Sequence, residues 1–377
     1  MKKNVLADLT YANFMRRHWQ KKPLFASCAL PEYASAVTRE DLVALAEQDD
    51  VESRIVQNSN GRWHVRHGPF ARRDFARLPR SGWTLLVQGV DQKLWQAARL
   101  LRELSFIPYA RLDDVMVSYA APGGGVGPHF DSYDVFLLQG QGKRRWQVSR
   151  QRDLELVADA PIKILRRFTP EQEWLVSAGD LLYLPPQCAH DGVAVEECIT
   201  YSVGFRAPAA QELGQRFLEF LQDRLELDGI YADPQRQASR TPGRIPRDMM
   251  DRAASMLEKL RWSRADVDQF MGAYLTEPKA NVVFDPPARR ITLGNFVRRA
   301  RKSGVRLALP SRVLVSGRNV FINGEALRVR PAAFKLLARL ADKRRLAPPF
   351  ELGAEAGRTL YEWFCAGYIE IGAEPSS

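Results

Sequence analysis

Short runs of alternating apolar and polar residues fill the middle of this 377-residue chain. Between Asp114 and Phe205, glycine, proline and acidic residues separate such runs, among them VMVSYAAPGG, FDSYDVFLLQG and KRRWQVSR. Alternation at every second residue is typical of strands with one buried face. Many short strands joined by such turns favour an antiparallel sandwich or barrel. We therefore predict an all-β block in this region.

The segments before this block mix helical and extended patterns. Thr38 is a candidate helix cap for TREDLVALAEQDD, because a threonine hydroxyl can accept from a free backbone N–H group. Two further helices are predicted in YANFMRRHWQKKPLF and KLWQAARLLRELSFIP, and a buried strand in WTLLVQGV. SRIVQNSNGRWHVRHGPF predicts a hairpin that turns at Asn60-Gly61.

After the block, three helices are predicted in QELGQRFLEFLQDRLEL, RDMMDRAASMLEKLRW and ADVDQFMGAYLTE. Their apolar faces either pair with a second copy of the chain or pack on its own barrel. Beyond Asp285, GRNVFINGEALRV predicts a hairpin that turns at Asn323-Gly324, followed by helices in AFKLLARLADK and GRTLYEWFCAGY and a strand in YIEI. Helices with a hairpin are the ingredients of a winged-helix module, which serves nucleic-acid and protein contacts alike.

These patterns predict four regions. They are an N-terminal mixed α/β region that packs on the barrel (1–90), the barrel (91–210), a helical region (211–284) and a winged-helix-like domain (285–377).

Composition indicates in which cellular compartment the protein is found. A hydrophobic content of 45% is ordinary for a globular protein, and we find no apolar run of the roughly 18 residues that a membrane span needs. The N-terminal MKKNVLADLTY has no apolar segment behind its lysines, which argues against a secretory signal. The four cysteines are scattered without a CxxC pair, which indicates a reducing cytoplasm.

The formal net charge is +11. The stretch from Pro286 to Gly324 carries nine arginines or lysines and no acidic residue. Such an excess attracts polyanions, or it forms only a solvated basic face. Contact with nucleic acid or the ribosome and a plain basic surface both remain open.

Candidate metal ligands lie within the β block. His129 and Asp131 are two residues apart, so in a strand they project from one face. With His190 they complete the two-histidine, one-carboxylate set that holds non-haem Fe(II). The preceding PGGGVGP lets backbone approach the site closely. A zinc site with Cys188 as a fourth ligand and two merely structural histidines are the alternatives.

A basic strand follows the candidate ligands. An Fe(II) oxygenase that uses 2-oxoglutarate must hold the distal carboxylate of this cosubstrate, and a guanidinium does so bidentately. In KRRW, Arg144 and Trp146 share one face, and Lys143 and Arg145 share the other. Either arginine could serve on periodicity alone.

Three stretches together, PGGGVGPHFDSYDVFLLQGQGKRRW, GDLLYLPPQCAHDGVA and YSVGFRAP, resemble the JmjC-type ribosomal oxygenases of the cupin superfamily. More narrowly, they resemble the bacterial ribosomal protein arginine hydroxylases. The strong resemblance covers Arg111 to Pro208. It implies an α+β chain in which a double-stranded β-helix (the JmjC/cupin barrel) precedes a helical dimerisation region and a C-terminal winged-helix-like domain. The implied oligomer is a homodimer.

The resemblance also implies roles for particular residues. His129, Asp131 and His190 would be the Fe(II) ligands, and Arg144 would grip 2-oxoglutarate where related eukaryotic members carry a lysine. Ser118 would be a second contact to this cosubstrate. The implied reaction consumes O2, converts 2-oxoglutarate to succinate and hydroxylates the β-carbon of an arginine. That arginine would belong to protein sixteen of the large ribosomal subunit.

A cationic substrate side chain should meet acid near the iron. Asp113, Asp114 and Asp134 are the candidates, with Ser202 as a possible hydrogen-bonding partner; each acid could equally be a turn or surface carboxylate. The net charge of +11 makes a local acidic pocket necessary, or it points to docking on ribosomal RNA.

Two alternatives to arginine hydroxylation remain at this point. One is another JmjC-type activity, such as histidine hydroxylation or lysine demethylation. The other is a metal-stabilised winged-helix regulator that consumes no 2-oxoglutarate.

Overall fold

The computed structural model describes residues 5–6, 9–59 and 61–373. Its N-terminal elements are α1 (Tyr11–Arg17), β1 (Leu24–Ala26), α2 (Arg39–Ala46), β2 (Ser53–Ser59), β3 (Arg62–His67), α3 (Arg72–Ala76), β4 (Trp83–Val87) and α4 (Trp95–Glu103). Thr38 caps α2 as predicted, because its hydroxyl accepts from the Asp41 N–H group and the Asp41 carboxylate accepts from the Thr38 N–H group. The predicted hairpin is confirmed as β2 and β3, although Asn60 of its turn lies outside the described residues.

The predicted all-β block is confirmed. It contains β5 (Leu112–Ala120), β6 (Val135–Gln141), β7 (Arg144–Ser149), β8 (Gln172–Val176), β9 (Leu181–Leu184), β10 (Ala189–Ala194) and β11 (Cys198–Phe205). The larger sheet has the order β1-β9-β6-β11-β5-β4-β2-β3, and the smaller sheet has the order β10-β7-β8. Residues of both sheets line one cavity, so the sheets form the walls of the predicted double-stranded β-helix.

A cluster of buried aromatic side chains packs the N-terminal region against the larger sheet. The Phe14 ring of α1 lies 4.9 Å from the Tyr183 ring and 5.5 Å from the Phe136 ring. The Val37 N–H group donates to the Tyr201 hydroxyl at 2.9 Å. Burial of such large apolar surfaces is the main stabilising contribution to the fold. This core lies on one side of the sheet, and the cavity lies on the other.

The C-terminal half is helical and then mixed. Its elements are α5 (Ala210–Gln222), α6 (Arg247–Leu257), α7 (Arg264–Thr276), α8 (Leu293–Ser303), β12 (Val305–Leu307), β13 (Val313–Ser316), β14 (Asn319–Ile322), β15 (Glu325–Arg328), α9 (Pro331–Lys343), β16 (Arg345–Leu346), α10 (Ala354–Cys365) and β17 (Ile369–Ile371). The predicted turn between β14 and β15 is confirmed: Asn323 and Gly324 have φ values of 49° and 89°, as a tight hairpin turn requires. The helix predicted up to Leu227 ends at Gln222.

Helix α7 packs on the three-stranded sheet β13-β14-β15. A Cβ atom at Gly272 would lie 2.3 Å from the Phe321 ring, so the glycine permits this close approach. The Thr276 hydroxyl accepts from the Gly324 N–H group at 3.0 Å. In the fold, α7 therefore belongs with the C-terminal module, although the sequence pattern groups it with the helices of 211–284.

No helix within the described residues has the length and apolar character required to cross a membrane.

Candidate metal centre and active site

The glycine-rich run lies along β10 and brings the two histidines together. The Gly123 N–H group donates to the Ala194 carbonyl, and the Ala194 N–H group donates to the Gly124 carbonyl, each at 2.8 Å. Further along, His129 and His190 exchange backbone hydrogen bonds of 2.9 and 2.8 Å. A Cβ atom at Gly125 would lie 2.7 Å from the Gly192 carbonyl oxygen. The absence of a side chain is therefore what allows this pairing.

His129, Asp131 and His190 converge on one point. Each offers a ligand atom, and the three atoms lie within 4.8 Å of one another. The His190 Nε2 atom is 3.8 Å from the Asp131 Oδ2 atom, and the two imidazole centroids are 4.2 Å apart. Among the described residues, no other group of three histidine, cysteine or acidic side chains converges in a way that could hold a metal ion.

Hydrogen bonds orient both imidazoles. His129 Nδ1 lies 2.8 Å from the Gly127 carbonyl oxygen, and His190 Nδ1 lies 2.9 Å from the Cys188 carbonyl oxygen. A carbonyl can only accept, so we assign a proton to each Nδ1 atom. Each Nε2 atom then keeps its lone pair for a metal, the arrangement in which a backbone carbonyl commonly orients a metal-binding histidine.

Burial also favours the neutral form of His190 that a metal ligand requires. It lowers the pKa of His190 to about 4, with a further lowering by His129 and an opposing effect of Asp131. His190 is therefore neutral near pH 7, as a metal ligand must be.

Cys188 does not join this group. Its thiol donates to the Ser149 carbonyl at 3.6 Å, and burial raises its pKa to about 12. A buried thiol that stays protonated is a poor zinc ligand, so the structure offers no support for the zinc alternative with Cys188.

In the structure, β9 ends at Leu184 and His190 is the second residue of the next strand, β10. Pro185 and Pro186 lie in the turn between the two strands. Because β10 pairs with β7, His190 lies beside the strand that carries Arg144.

Burial distinguishes the two arginines of the basic strand. Arg144 is 5% exposed and lines the cavity, whereas Arg145 is exposed. The Arg144 guanidinium lies 5.6 Å from the centre of the Trp146 ring. Among the described residues, the Nε and Nη2 atoms of Arg144 have no hydrogen-bond partner. A buried guanidinium of this kind calls for an anionic ligand.

The cavity holds most of the residues named from sequence. Its volume is about 490 Å³. Its walls include His129, Asp131, His190, Arg144, Ser118, Asp113, Asp114 and Ser202. Ser118 lies on β5 opposite Thr200 of β11, and its hydroxyl is 3.5 Å from the Thr200 carbonyl oxygen. This long contact leaves the Ser118 hydroxyl able to donate to a ligand.

Asp113 and Asp114 line the cavity at the start of β5. The Asp114 side chain is 4% exposed and lies 2.8 Å from Lys279 Nζ. The Gln88 amide also donates to both Asp114 carboxylate oxygens at 2.9 Å. Asp113 is more exposed and lies near Arg206, Lys279 and Arg312.

Asp134 is not among the residues that line the cavity. Its side chain is fully buried, and its carboxylate accepts from the Tyr183 hydroxyl at 2.6 Å and from the Gln20 amide at 3.0 Å. Arg111 lies 3.4 Å away. These contacts join Asp134 to the aromatic core rather than to the metal site.

Tyr133 and Met116 are among the cavity residues that sequence reasoning missed. Tyr133 lines the cavity, and burial and the Asp131 charge raise the pKa of its hydroxyl. Met116 lies between Asp114 and Ser118 on β5. Alternation could have found Met116, since residues two apart in a strand share a face and Met116 follows Asp114 on β5. Tyr133 lies in the bend before β6, where alternation does not apply.

Known proteins share both the sequence and the fold. Residues 99–213 match the model of a JmjC domain, and residues 259–370 match that of a ROXA-like winged helix. The chain is 34% identical to the ribosomal protein uL16 3-hydroxylase of Escherichia coli, over 88% of this chain and 90% of that protein.

Solved structures extend this similarity to the whole fold. An X-ray structure of E. coli YcfD superposes with a TM-score of 0.83 at 31% identity, covering 97% of this chain and 98% of that one. A structure of YcfD, a ribosomal oxygenase, in complex with cobalt and 2-oxoglutarate gives a TM-score of 0.81 at 30% identity, covering 97% of this chain and 99% of that one.

Proposed function

We propose a reaction for this chain from the family to which it belongs, the JmjC-type ribosomal oxygenases. The chain is an Fe(II)- and 2-oxoglutarate-dependent oxygenase that hydroxylates the β-carbon of an arginine in ribosomal protein uL16. The E. coli relative is named as the 3-hydroxylase of that protein, and position three of an amino acid is its β-carbon. The observation that carries the proposal is the convergence of two oriented imidazoles and one carboxylate beside an unpartnered buried guanidinium.

The donor set fits Fe(II). His129, Asp131 and His190 would hold it, because two neutral imidazoles and one carboxylate on one side of a metal suit non-haem iron. Bound iron supplies the oxidising chemistry with O2 that no side chain can perform. The chain's own contribution is to hold each imidazole in the required tautomer through the carbonyl groups of Gly127 and Cys188.

The cavity wall also fits 2-oxoglutarate. The Arg144 guanidinium would bind the distal carboxylate, since its Nε and Nη2 atoms are buried and unpartnered among the described residues. Ser118 would donate a second hydrogen bond from β5. Trp146, packed beside both Arg144 and His190, would restrict water around this carboxylate. A charged hydrogen bond is stronger where water is excluded.

The arginine substrate would meet acid at the opposite side of the cavity. Asp114 and Asp113 line that wall together with Ser202 and Tyr133. Carboxylate oxygens on this wall could accept the hydrogen bonds that a guanidinium donates. We assign Asp134 a structural role, because it does not line the cavity and its carboxylate is bound to Tyr183 and Gln20 of the aromatic core.

Mass spectrometry tests the reaction directly. The purified protein is loaded with Fe(II) and 2-oxoglutarate under nitrogen, and then O2 and unmodified large-subunit ribosomal proteins are added. We expect uL16 to gain one oxygen atom on an arginine, and we expect no gain with His129→Ala. Succinate formation without this gain would retain the oxygenase and reject the substrate. Iron-loaded protein that forms neither product would favour the regulator.

The proposed partners follow from two surfaces. α5 and α6 expose large apolar side chains, among them Leu218 (65%), Leu257 (63%) and Met250 (55%), and we propose that this face pairs two copies of the chain. Sedimentation of the purified protein should give the mass of a dimer, and Leu218→Glu should shift it toward the monomer.

The basic surface of 286–324 is proposed to contact ribosomal RNA. Phosphate contacts weaken as salt rises, so affinity for ribosomal particles that stays constant across a salt series would contradict this contact. We propose the cytoplasm as the location of the reaction, because the proposed substrate is a ribosomal protein.

A further inference from the structure

Three cations surround the two acids of the proposed substrate wall. Lys279 Nζ lies 2.8 Å from Asp114 and 3.4 Å from Asp113. Arg206 and Arg312 lie 3.7 and 3.9 Å from Asp113. Of the basic side chains in the described part of the chain, Lys279 alone lies within ion-pair distance of Asp114. The ion pair with Lys279 therefore holds the Asp114 carboxylate from one side.

Lys279 contacts Asp114 from the side that faces away from the cavity. Asp114 lines the cavity of the candidate metal ligands and also a separate surface pocket. Lys279 lines only the second of these two spaces. Gln88 lines both spaces and donates to both carboxylate oxygens. Lys279 thus supports the carboxylate without standing where a substrate would enter.

Asp114 needs such support because it is buried among other acids. It is 3% exposed, and an ionised carboxylate in such a place is costly unless it is paired. Burial and the charge of Asp114 together raise the pKa of the neighbouring Asp91 to about 6. Pairing with Lys279 and the two hydrogen bonds from the Gln88 amide stabilise the buried Asp114 carboxylate.

We propose that Lys279 is a positioning residue for the cationic substrate side chain: its ion pair holds the Asp114 carboxylate in place at the cavity wall, and Lys279 itself does not touch the substrate. This inference rests on the proposed function and deepens it. Lys279 follows α7, which packs on the winged-helix sheet, and the nearby Asn281 amide donates to the Asp50 carbonyl at 2.9 Å. Docking of the C-terminal module would therefore complete the substrate site.

The test is Lys279→Met, which keeps the apolar stem and removes the charge. With an arginine-containing fragment of uL16, we expect KM to rise roughly tenfold, because a hydrogen-bonded charge pair is broken. We expect kcat to stay within about twofold, because the ion pair lies away from the reacting centre. Lys279→Arg should restore most of the lost affinity. The KM for 2-oxoglutarate should not change, and this value also reports that the variant is folded.

Lys93→Met is the matched control. Lys93 lines the same surface pocket and pairs with Asp50 at 2.5 Å, with a similar exposed fraction, 31% against 38% for Lys279. It should leave KM for the fragment unchanged. An unchanged or lowered KM in Lys279→Met, or no rescue by Lys279→Arg, overturns the inference.

Binding of the same fragment under nitrogen, measured by isothermal titration, separates the two proposals because it needs no turnover. Weaker binding to Lys279→Met than to the unsubstituted protein supports the inference even if no hydroxylation occurs. Equal binding rejects the inference even if hydroxylation is observed.

Discussion

Arg144 is the residue on which recognition of 2-oxoglutarate depends in the proposed reaction. Substitution by alanine removes a buried guanidinium whose hydrogen bonds to a charged group contribute about 1.5–3 kcal/mol. We expect the KM for 2-oxoglutarate to rise roughly 10–100-fold. Arg145→Ala is the matched control, since Arg145 is the adjacent and exposed arginine of the same strand. Equal effects of the two substitutions would reject the role of Arg144.

Asp91 makes stability depend on pH. Its ordinary pKa of 3.8 is raised to about 6 by burial and by the Asp114 charge. Between these values the folded protein binds more protons than the unfolded chain, so the free energy of unfolding falls as pH rises through this window. Asp91→Asn keeps an acceptor for the Val115 N–H group and removes the buried charge. It should stabilise the protein at pH 7 by about 1–3 kcal/mol.

Denaturant unfolding at several pH values measures this effect. The wild-type protein should lose stability between about pH 4 and 6 relative to Asp91→Asn, and the difference between them should then level off. A constant difference across this range would show that Asp91 does not titrate there.

At the residue scale, sequence spacing identified the ligand types but did not choose between similar neighbours. The prediction took His129 and Asp131 as two positions on one face of a strand, but Asp131 lies outside the strands and only His129 forms a bridge, with His190. Periodicity left Arg144 and Arg145 equivalent. Burial separates the two arginines, because only one of them lies between the sheets. Sequence spacing also could not show that Asp134 lies outside the cavity, because its partners Tyr183 and Gln20 are far from it in the chain.

At the scale of elements, the glycine run is the segment that sets the distance between the two histidines. A Cβ atom at Gly125 would meet the Gly192 carbonyl oxygen at 2.7 Å, and backbone can move away only if the pairing of His129 with β10 is disturbed. Gly125→Ala should destabilise the protein by about 1–3 kcal/mol and weaken binding of Fe(II). Thermal unfolding of the metal-free protein and a metal titration measure the two effects.

Gly214→Ala is the control for this change. Gly214 lies in α5, and a Cβ atom there meets nothing within 4 Å. The same chemical change should therefore stabilise the helix by up to about 1 kcal/mol and leave metal binding unchanged. A Gly125→Ala protein that behaves like Gly214→Ala would contradict the close approach.

At the scale of the whole molecule, Arg312 connects the winged-helix module to the barrel. Its guanidinium donates to the carbonyl groups of Leu112 and Asp113 at the start of β5. Arg312→Met should weaken this connection by about 1–3 kcal/mol, so calorimetry should show the two modules unfolding at more widely separated temperatures. Arg318→Met, an exposed arginine of the same module, should leave the profile unchanged. A single unaltered transition in both variants would reject the role of Arg312.

The local pattern by itself determined the strands, most helix positions and the hairpin turn at Asn323-Gly324, because these depend on alternation, helical spacing and turn residues that neighbours in the chain supply. Only the tertiary structure decided that α7 packs on the winged-helix sheet, that Arg144 rather than Arg145 is buried, and that Lys279 stands behind Asp114. Each of these outcomes depends on contacts between segments that are distant in sequence, and periodicity carries no information about which distant segment supplies the partner.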